Sequence, residues 1–422
     1  MATPSSSSFS FVHAADLHLG SPLLGLALKD EELACRFAAA SRRAFTDLVT
    51  HAIDEKVSFL ILAGDIYDGE LKDASVALFF NREVARLHRA GIPVYIVKGN
   101  HDAESVVTKS VTLPENVLVF PTAKSTTFRI DDLKVALHGR SFPDRSVSDN
   151  YAITYPTPVP GWFNIGVLHT SCDGRPGHAT YAPCTVQDLI ARGYQYWALG
   201  HVHEHEILLR DPLIVFPGNL QGRSIRECGP KGACIIQVSD GQVDKIEHVA
   251  FDHARFGNLS VPLDNIDTEA AALSAISHEL AKVAASADGR MLALRVTLRG
   301  ATPLHHAFNA DPQRVTEEVQ AIAQHHHEEI WLEKFRIATS EPVGTSDPDG
   351  SQLLDLSSML DGLDRDPEVL RSATEIIAQV TSKLPGTIDT DQMAILADTS
   401  ELIEHARSLI LGRLLPAGAT HK

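Results

Sequence analysis

Val57-Ser-Phe-Leu-Ile-Leu-Ala63 runs without a break into Gly64-Asp65-Ile66-Tyr67-Asp68. A run of β-branched, aromatic and aliphatic residues closed by glycine reads as a strand buried on both faces, and an acidic side chain follows at once. The pattern recurs along the chain. Phe9-Ser-Phe-Val-His-Ala-Ala15 leads to Asp16 and His18, and Ile92-Pro-Val-Tyr-Ile-Val97 leads to Asn100 and His101. Phe163-Asn-Ile-Gly-Val-Leu168 leads to His169, and Tyr194-Gln-Tyr-Trp-Ala-Leu199 to His201 and His203. Helix-like spans lie between, notably 31–55 and 73–90, the second with Asp73 as N-cap and Gly91 as its stop. Strand and helix in alternation predict a layered α/β core, and ligands in such cores bind beyond the carboxyl ends of the strands. That is where these polar residues fall.

Their chemistry narrows the site. Carboxylate, amide oxygen and imidazole suit Mn, Fe or Zn, whereas a closed structural zinc site would usually bring thiolates. None of the five cysteines lies in a C-x-x-C pair. Two cations about 3.5–4 Å apart clamp the attacking and leaving oxygens of a phosphoryl displacement, and a carboxylate shared between them is the expected bridge. Asp65 is the candidate. Taken singly, an Asp or His at a strand end is as often a turn former or a satisfied polar residue; the ordered set is what carries weight. His13 and His138 sit in strand-like contexts and read as packing or hydrogen-bonding residues. The run 325–327 of three histidines reads as a solvated helix end, and Lys231 as a turn residue.

Asp16-Leu17-His18, Gly64-Asp65-Ile66-Tyr67-Asp68, Gly99-Asn100-His101-Asp102, His169 and Gly200-His201-Val202-His203 resemble the ordered motif set of the calcineurin-like metallophosphoesterase superfamily. Within it, the stretches 13–20, 169–178 and 216–231 resemble the bacterial SbcD-like DNA repair exonucleases, and more closely their YhaO-type branch. The resemblance spans roughly the first 250 residues. It implies a β-sandwich flanked by helices, with one metal on Asp16, His18, Asp65 and His203 and the other on Asp65, Asn100, His169 and His201. His101 would protonate the leaving oxygen, a role that suits an imidazole with an unperturbed pKa near ~6.5, and Asp68 would orient it. The resemblance also implies Mn²⁺ as the metal, with Fe or Zn as alternatives, DNA as substrate, an SMC-like coiled-coil ATPase as partner and a possible homodimer. Arg175, Arg223 and Arg226 are candidate phosphate contacts. Serine/threonine phosphatases of the superfamily follow the bridging Asp with Arg-Gly and have Glu after Asn-His; here stand Asp68-Gly69 and Asp102, which disfavours a protein phosphatase. A nucleotide phosphodiesterase of the same fold, and a non-catalytic scaffold for the ATPase, are the alternatives.

At 422 residues the chain exceeds one core. The expected division is a tail over 1–8, a nuclease domain over 9–255, a small α+β cap over 256–340, a linker over 341–351 and a helical partner-binding segment over 352–422. The cap is read from strand-like 259–263, 291–298 and 330–337 interleaved with helix-like 268–285 and 311–324. The tail segment has apolar residues at helical spacing over 366–382 and 390–415. No apolar run reaches 18 residues, the start lacks a signal-peptide pattern, and the cysteines suit a reducing compartment, so a cytoplasmic enzyme is expected. The net charge of −17 opposes DNA binding. It divides as −5 over 1–250, −5 over 251–345 and −7 over 346–422, so the catalytic portion is only mildly acidic and a basic partner would complete a DNA surface.

Overall fold

Strand parity sorts the apolar runs onto two faces. The computed structural model describes residues 8–21, 31–68, 74–104, 112–174, 181–342, 360, 362–381, 402–403, 406 and 410. By its internal contacts the chain divides into two compact units, residues 1–257 with 290–293, and 258–289 with 294–422.

The first unit is built on two six-stranded sheets. Strands β1 (Ser8–Ala14), β2 (Phe59–Ala63), β3 (Val94–Val97) and β4 (Val117–Val119) lie side by side in parallel. Beyond β1, β11 (Gly232–Ser239) and β12 (Gln242–Ala250) add on antiparallel, for an order β12-β11-β1-β2-β3-β4. The second sheet holds β5 (Thr126–Ile130), β6 (Val135–Gly139), β7 (Phe163–His169), β8 (Tyr196–Gly200), β9 (His205–Arg210) and β10 (Leu213–Pro217) in the order β5-β6-β7-β8-β10-β9. Its four central strands are parallel and its two edges antiparallel.

Because successive side chains alternate, Phe59, Ile61 and Ala63 enter a core shared with Phe11, Ile165, Val167, Tyr196 and Ala198 of both sheets. Phe11 and Phe59 stack there with centroids 4.8 Å apart. Leu60 and Leu62 face the other way and, with Val12 and Ala14, meet Phe45 and Leu48 of helix α1 (Glu31–Asp54) and Phe80 and Leu87 of α2 (Ala74–Arg89). On the far face of the second sheet, Leu168, Trp197, Leu199, Ile214 and Phe216 pack with Tyr155, Tyr194 and Leu189, the last from the short helix α4 (Val186–Ile190). Each such side chain contributes about 1.5–3 kcal/mol on burial. The result is a sandwich of two mixed sheets between helices, the calcineurin-like α/β fold. A further short helix, α3 (Asn100–Glu104), follows β3.

A third sheet, ordered β13 (Ala254–Pro262), β14 (Met291–Ala301), β15 (Ile330–Ser340), goes with helices α5 (Glu269–Ser286), α6 (His305–Ala310) and α7 (Pro312–His326). Thr268 caps α5 and Asp311 caps α7, each accepting a backbone N–H three residues on. Helix α8 (Pro367–Thr381) follows. Asp73, the linker beyond residue 342 and most of the expected helix over 390–415 lie outside the described residues. Among the described residues no helix is long and apolar enough to cross a membrane.

Candidate metal centre

The strand ends do not simply stop; they turn sharply inward. Asp16, His18, Asp65 and His201 all have positive φ, at 53°, 41°, 52° and 102°. For residues with a Cβ this backbone region costs energy, and its concentration at one place marks a site where geometry outranks local preference. The turns are pinned to one another. Asp16 N–H donates to Gly64 O at 2.9 Å, His18 N–H to Asp65 O at 3.0 Å and Leu19 N–H to Ile66 O at 2.9 Å. A Cβ on Gly64 would collide with the His169 ring, and one on Gly99 with the Asp65 carboxylate, so both glycines let loops from different strands touch.

Among the described residues three groups of ligand atoms form here, each within 4.8 Å of one another: Asp16 with His18 and His203, Asp65 with His169 and His201, and, sharing His18 with the first, His18 with Asp68 and His101. In the second, His169 donates Nδ1–H to Ala63 O at 2.9 Å, so its Nε2 lone pair faces Asn100 Oδ1 at 3.0 Å and Asp65 Oδ2 at 3.4 Å. Three acceptors then converge on a point that needs positive charge. Burial disfavours an imidazolium, yet the Asp65 carboxylate outweighs it and pushes His169 up to about 9, so either a proton or a cation at Nε2 meets that need. In the first group, His203 donates Nδ1–H to Glu227 Oε1 at 2.7 Å, leaving its Nε2 3.2 Å from His18 Nε2 and 3.9 Å from Asp16 Oδ1. His18 Nδ1 is buried without a hydrogen-bond partner among the described residues, and burial together with Arg223 holds that ring well below the usual histidine range. These donor sets fit divalent cations: imidazole nitrogens and carboxylate and amide oxygens converge, and a cation can take the place that a proton on His169 Nε2 would otherwise fill.

Asp65 joins the first two groups. Its Oδ1 accepts His101 N–H at 3.0 Å, while Oδ2 lies 3.4 Å from His169 Nε2 and 3.8 Å from His18 Nε2. Burial opposes its charge, but His169 and His18 hold it ionised. Beside these two, on the exposed side, His101 Nδ1 meets Asp68 Oδ1 at 3.2 Å, with the His101 side chain 30% accessible. That hydrogen bond raises the His101 pKa above its ordinary value, and the same bond keeps Asp68 below the carboxylate range.

Two carboxylates to which sequence reasoning gave no role in the site hold the arrangement. Glu227 orients His203 and is itself fixed by Asn219 Nδ2 at 2.9 Å, Arg223 N–H at 2.8 Å and Arg223 Nη2 at 2.9 Å. Asp102, 2% exposed, accepts the N–H of Ile66 at 2.9 Å and Tyr67 at 3.1 Å on Oδ1, and Gly99 N–H at 3.0 Å on Oδ2. The expected phosphate contacts fare differently: Arg223 is engaged by Glu227, Arg226 is exposed, and Arg175 lies outside the described residues. Lys231 is no simple turn residue, since its buried ammonium donates to His203 O at 2.9 Å. His13 and His138 are hydrogen-bonded core residues, as their strand setting predicts.

Residues 9–205 match the family model described as calcineurin-like phosphoesterase, and residues 256–340 that of the metallophosphoesterase YhaO middle domain. The chain is 30% identical over 378 residues to an uncharacterized metallophosphoesterase YhaO of Bacillus subtilis, covering 86% of this chain and 92% of that one. It is 22% identical over 247 residues to the DNA double-strand break repair protein Mre11 of Thermoplasma acidophilum, covering 55% of this chain and 63% of the relative. A solved dimetal phosphatase from Danio rerio superposes with a TM-score of 0.34 at 12% identity, over 58% of this chain and 99% of that one.

Proposed function

This chain belongs to the YhaO-type family of calcineurin-like metallophosphoesterases, and we propose that the phosphoesters it hydrolyses are the phosphodiesters of DNA, cut with two Mn²⁺ ions as the nuclease subunit of an SMC-like ATPase complex. The observation that carries the reading is the single carboxylate of Asp65 reaching the first two ligand groups, with the His101–Asp68 pair on their open side.

Asp16, His18 and His203 would hold one ion and Asn100, His169 and His201 the other, with Asp65 between them. Bound there, the pair would activate a water and neutralise the charge that builds on the phosphoryl oxygens. The chain's own groups do the rest. Asp68 fixes the His101 ring and favours its charged form, which suits the imidazole to give a proton to the departing alkoxide oxygen of the cleaved strand. The buried walls behind Asp65 and His169 leave His101 as the accessible face from which substrate enters.

DNA rather than a nucleotide is favoured by the likeness to Mre11 and by the SbcD-like stretches over 169–178 and 216–231. The acidic charge, −17 in all, argues that a partner supplies the basic surface. Helix α8, with Ile376 62% exposed, offers an apolar face for a coiled coil.

The test is nuclease activity on labelled linear single- and double-stranded DNA with Mn²⁺, beside a chromogenic phosphodiester, for wild type and His101→Ala. We expect DNA cleavage that falls about 10²–10⁴-fold in the variant. Turnover of the small ester with no DNA cleavage, even with the ATPase added, would transfer the reading to a small-molecule phosphodiesterase.

A further inference from the structure

Beyond the metal centre, a cleft of ≈ 400 Å³ opens beside the end of β7, lined by Asn150, Cys172, Asp173, Cys184, Thr185 and Asp188 among others. Both cysteines are free thiols and both are buried, at 2% and 4% exposure. They belong to the two arms of one loop. Ser171 N–H donates to Tyr181 O at 2.9 Å and Thr170 Oγ1–H to Ala182 O at 2.7 Å, so residues 170–172 lie against 181–184. Thr170 Oγ1 also contacts Cys184 Sγ at 3.5 Å and accepts Cys172 N–H at 2.9 Å, so both cysteines sit against one hydroxyl in the wall of the cleft. Cys172 has φ of 47°, a strained backbone for a residue with a Cβ.

We propose that Cys172 and Cys184 are a dithiol site that a small cationic disulfide oxidises to an intramolecular disulfide, and that this modification throttles the metal centre. Juxtaposed thiols in an open cleft are the geometry that thiol–disulfide exchange requires. The carboxylates of Asp173 and Asp188 select for an amine-bearing reagent over an anionic one. Cys184 is the first nucleophile: the neighbouring Cys172 thiol lowers its pKa despite burial, while Cys184 and burial keep Cys172 protonated. The Cys184 thiolate, its proton released to water, attacks one sulfur of R–S–S–R; the S–S bond breaks and RS⁻ leaves. The Cys172 sulfur, on losing its proton, then attacks Cys184 Sγ in the mixed disulfide and expels the second RS⁻. Both leaving thiolates take up a proton, so one R–S–S–R is reduced to two RSH as the pair is oxidised.

Coupling to the metal centre follows from chain geometry. His169 lies three residues before Cys172, and the Tyr181 ring packs on His201 at 5.3 Å, three residues before Cys184. Drawing the two sulfurs into a bond shifts both arms.

Full-length protein treated with cystamine, then alkylated and mapped by mass spectrometry, tests this. Cys172 and Cys184 should leave the thiol pool together, as a linked pair lacking two hydrogens, while exposed Cys35 and Cys228 only acquire cysteamine. In Cys172→Ala, Cys184 should stop at the mixed disulfide. Asp173→Asn should slow the reaction with cystamine but not with neutral 2-hydroxyethyl disulfide; equal slowing of both would overturn the charge selection. Phosphodiester turnover of the oxidised chain should drop roughly tenfold, recover with dithiothreitol and stay unchanged in the Cys172→Ala/Cys184→Ala double variant. Persistent alkylation of both cysteines, or a stable cysteamine adduct on wild-type Cys184, would overturn the dithiol site; full turnover by the disulfide form would overturn the coupling.

Discussion

Glu227 acts on the centre only through His203, and that indirectness makes it a sharp test. Its carboxylate accepts Nδ1–H of His203, which fixes the ring orientation and makes Nε2 the better electron donor. Glu227→Gln preserves an acceptor but removes the charge. Mn²⁺ affinity measured by calorimetric titration should weaken by about 10–100-fold, with the far-ultraviolet dichroism of the metal-free protein unchanged. Affinity equal to wild type would make Glu227 a loop brace with no part in metal binding. At this scale the sequence was informative in proportion to how local each role is. Asp16, Asp65 and His169 directly follow apolar runs and could be read from that position. Glu227 and Asp102 spend their oxygens on a distant imidazole and on backbone N–H groups of other loops. No spacing along the chain records such partners.

Elements were legible where an apolar run leads straight into a polar strand end. The runs that became β1, β2, β3, β7 and β8 pack against a layer on each face, so apolar residues dominate them even where Ser10, His13 and Asn164 interrupt. Burial alone was not enough, since β6 and β10 are wholly buried and were not among the runs read, and edge strands escaped as well. β5, β9 and β12 mix Thr, His, Glu, Asp and Lys with half-exposed aliphatics, and only their pairing identifies them. Two predictions belong here. Asp102 ties the turn after β2 to the turn after β3, and Asp102→Asn would set a side-chain NH₂ against Gly99 N–H. With that buried donor unsatisfied, urea unfolding should show a loss of about 1–3 kcal/mol; no loss would mean the turns hold each other unaided. His13 links β1 to β8, donating to Leu199 O at 3.0 Å and accepting from Tyr196 OH at 2.8 Å, and burial lowers its pKa to about 3. Its folded pKa lies below the unfolded value of ~6.5, so between those values the unfolded chain binds the extra proton. Stability is therefore complete above pH ~6.5 and falls on acidification toward pH 3, by about 1.4 kcal/mol per unit from this residue. The pH slope of unfolding free energy between 6 and 4.5 should be shallower by that amount in His13→Asn; parallel slopes would assign the titration elsewhere.

For the whole molecule, the metal centre gathers buried carboxylates and strained turns in one place, and that couples metal binding to folding. Asp16 and Asp65 are almost wholly buried, at 1% exposure each, and four of the turn residues are held at positive φ. Burial raises the pKa of Asp16 even against its neighbouring histidines, so keeping that carboxylate ionised without a cation costs the fold stability. A cation bound only by the folded state repays this by mass action, about 2.7 kcal/mol at a concentration one hundred times its Kd. Mn²⁺ should thus raise the melting temperature by several degrees, EDTA should reverse the rise, and Asp65→Ala, which removes the shared carboxylate, should abolish it. The chain carries −17 overall, so any multivalent cation screens its self-repulsion to some extent. Ca²⁺ at matched ionic strength separates the two effects. A shift equal for Mn²⁺ and Ca²⁺ and kept by Asp65→Ala would be surface screening; a larger shift with Mn²⁺ that depends on Asp65 would be occupancy of the centre.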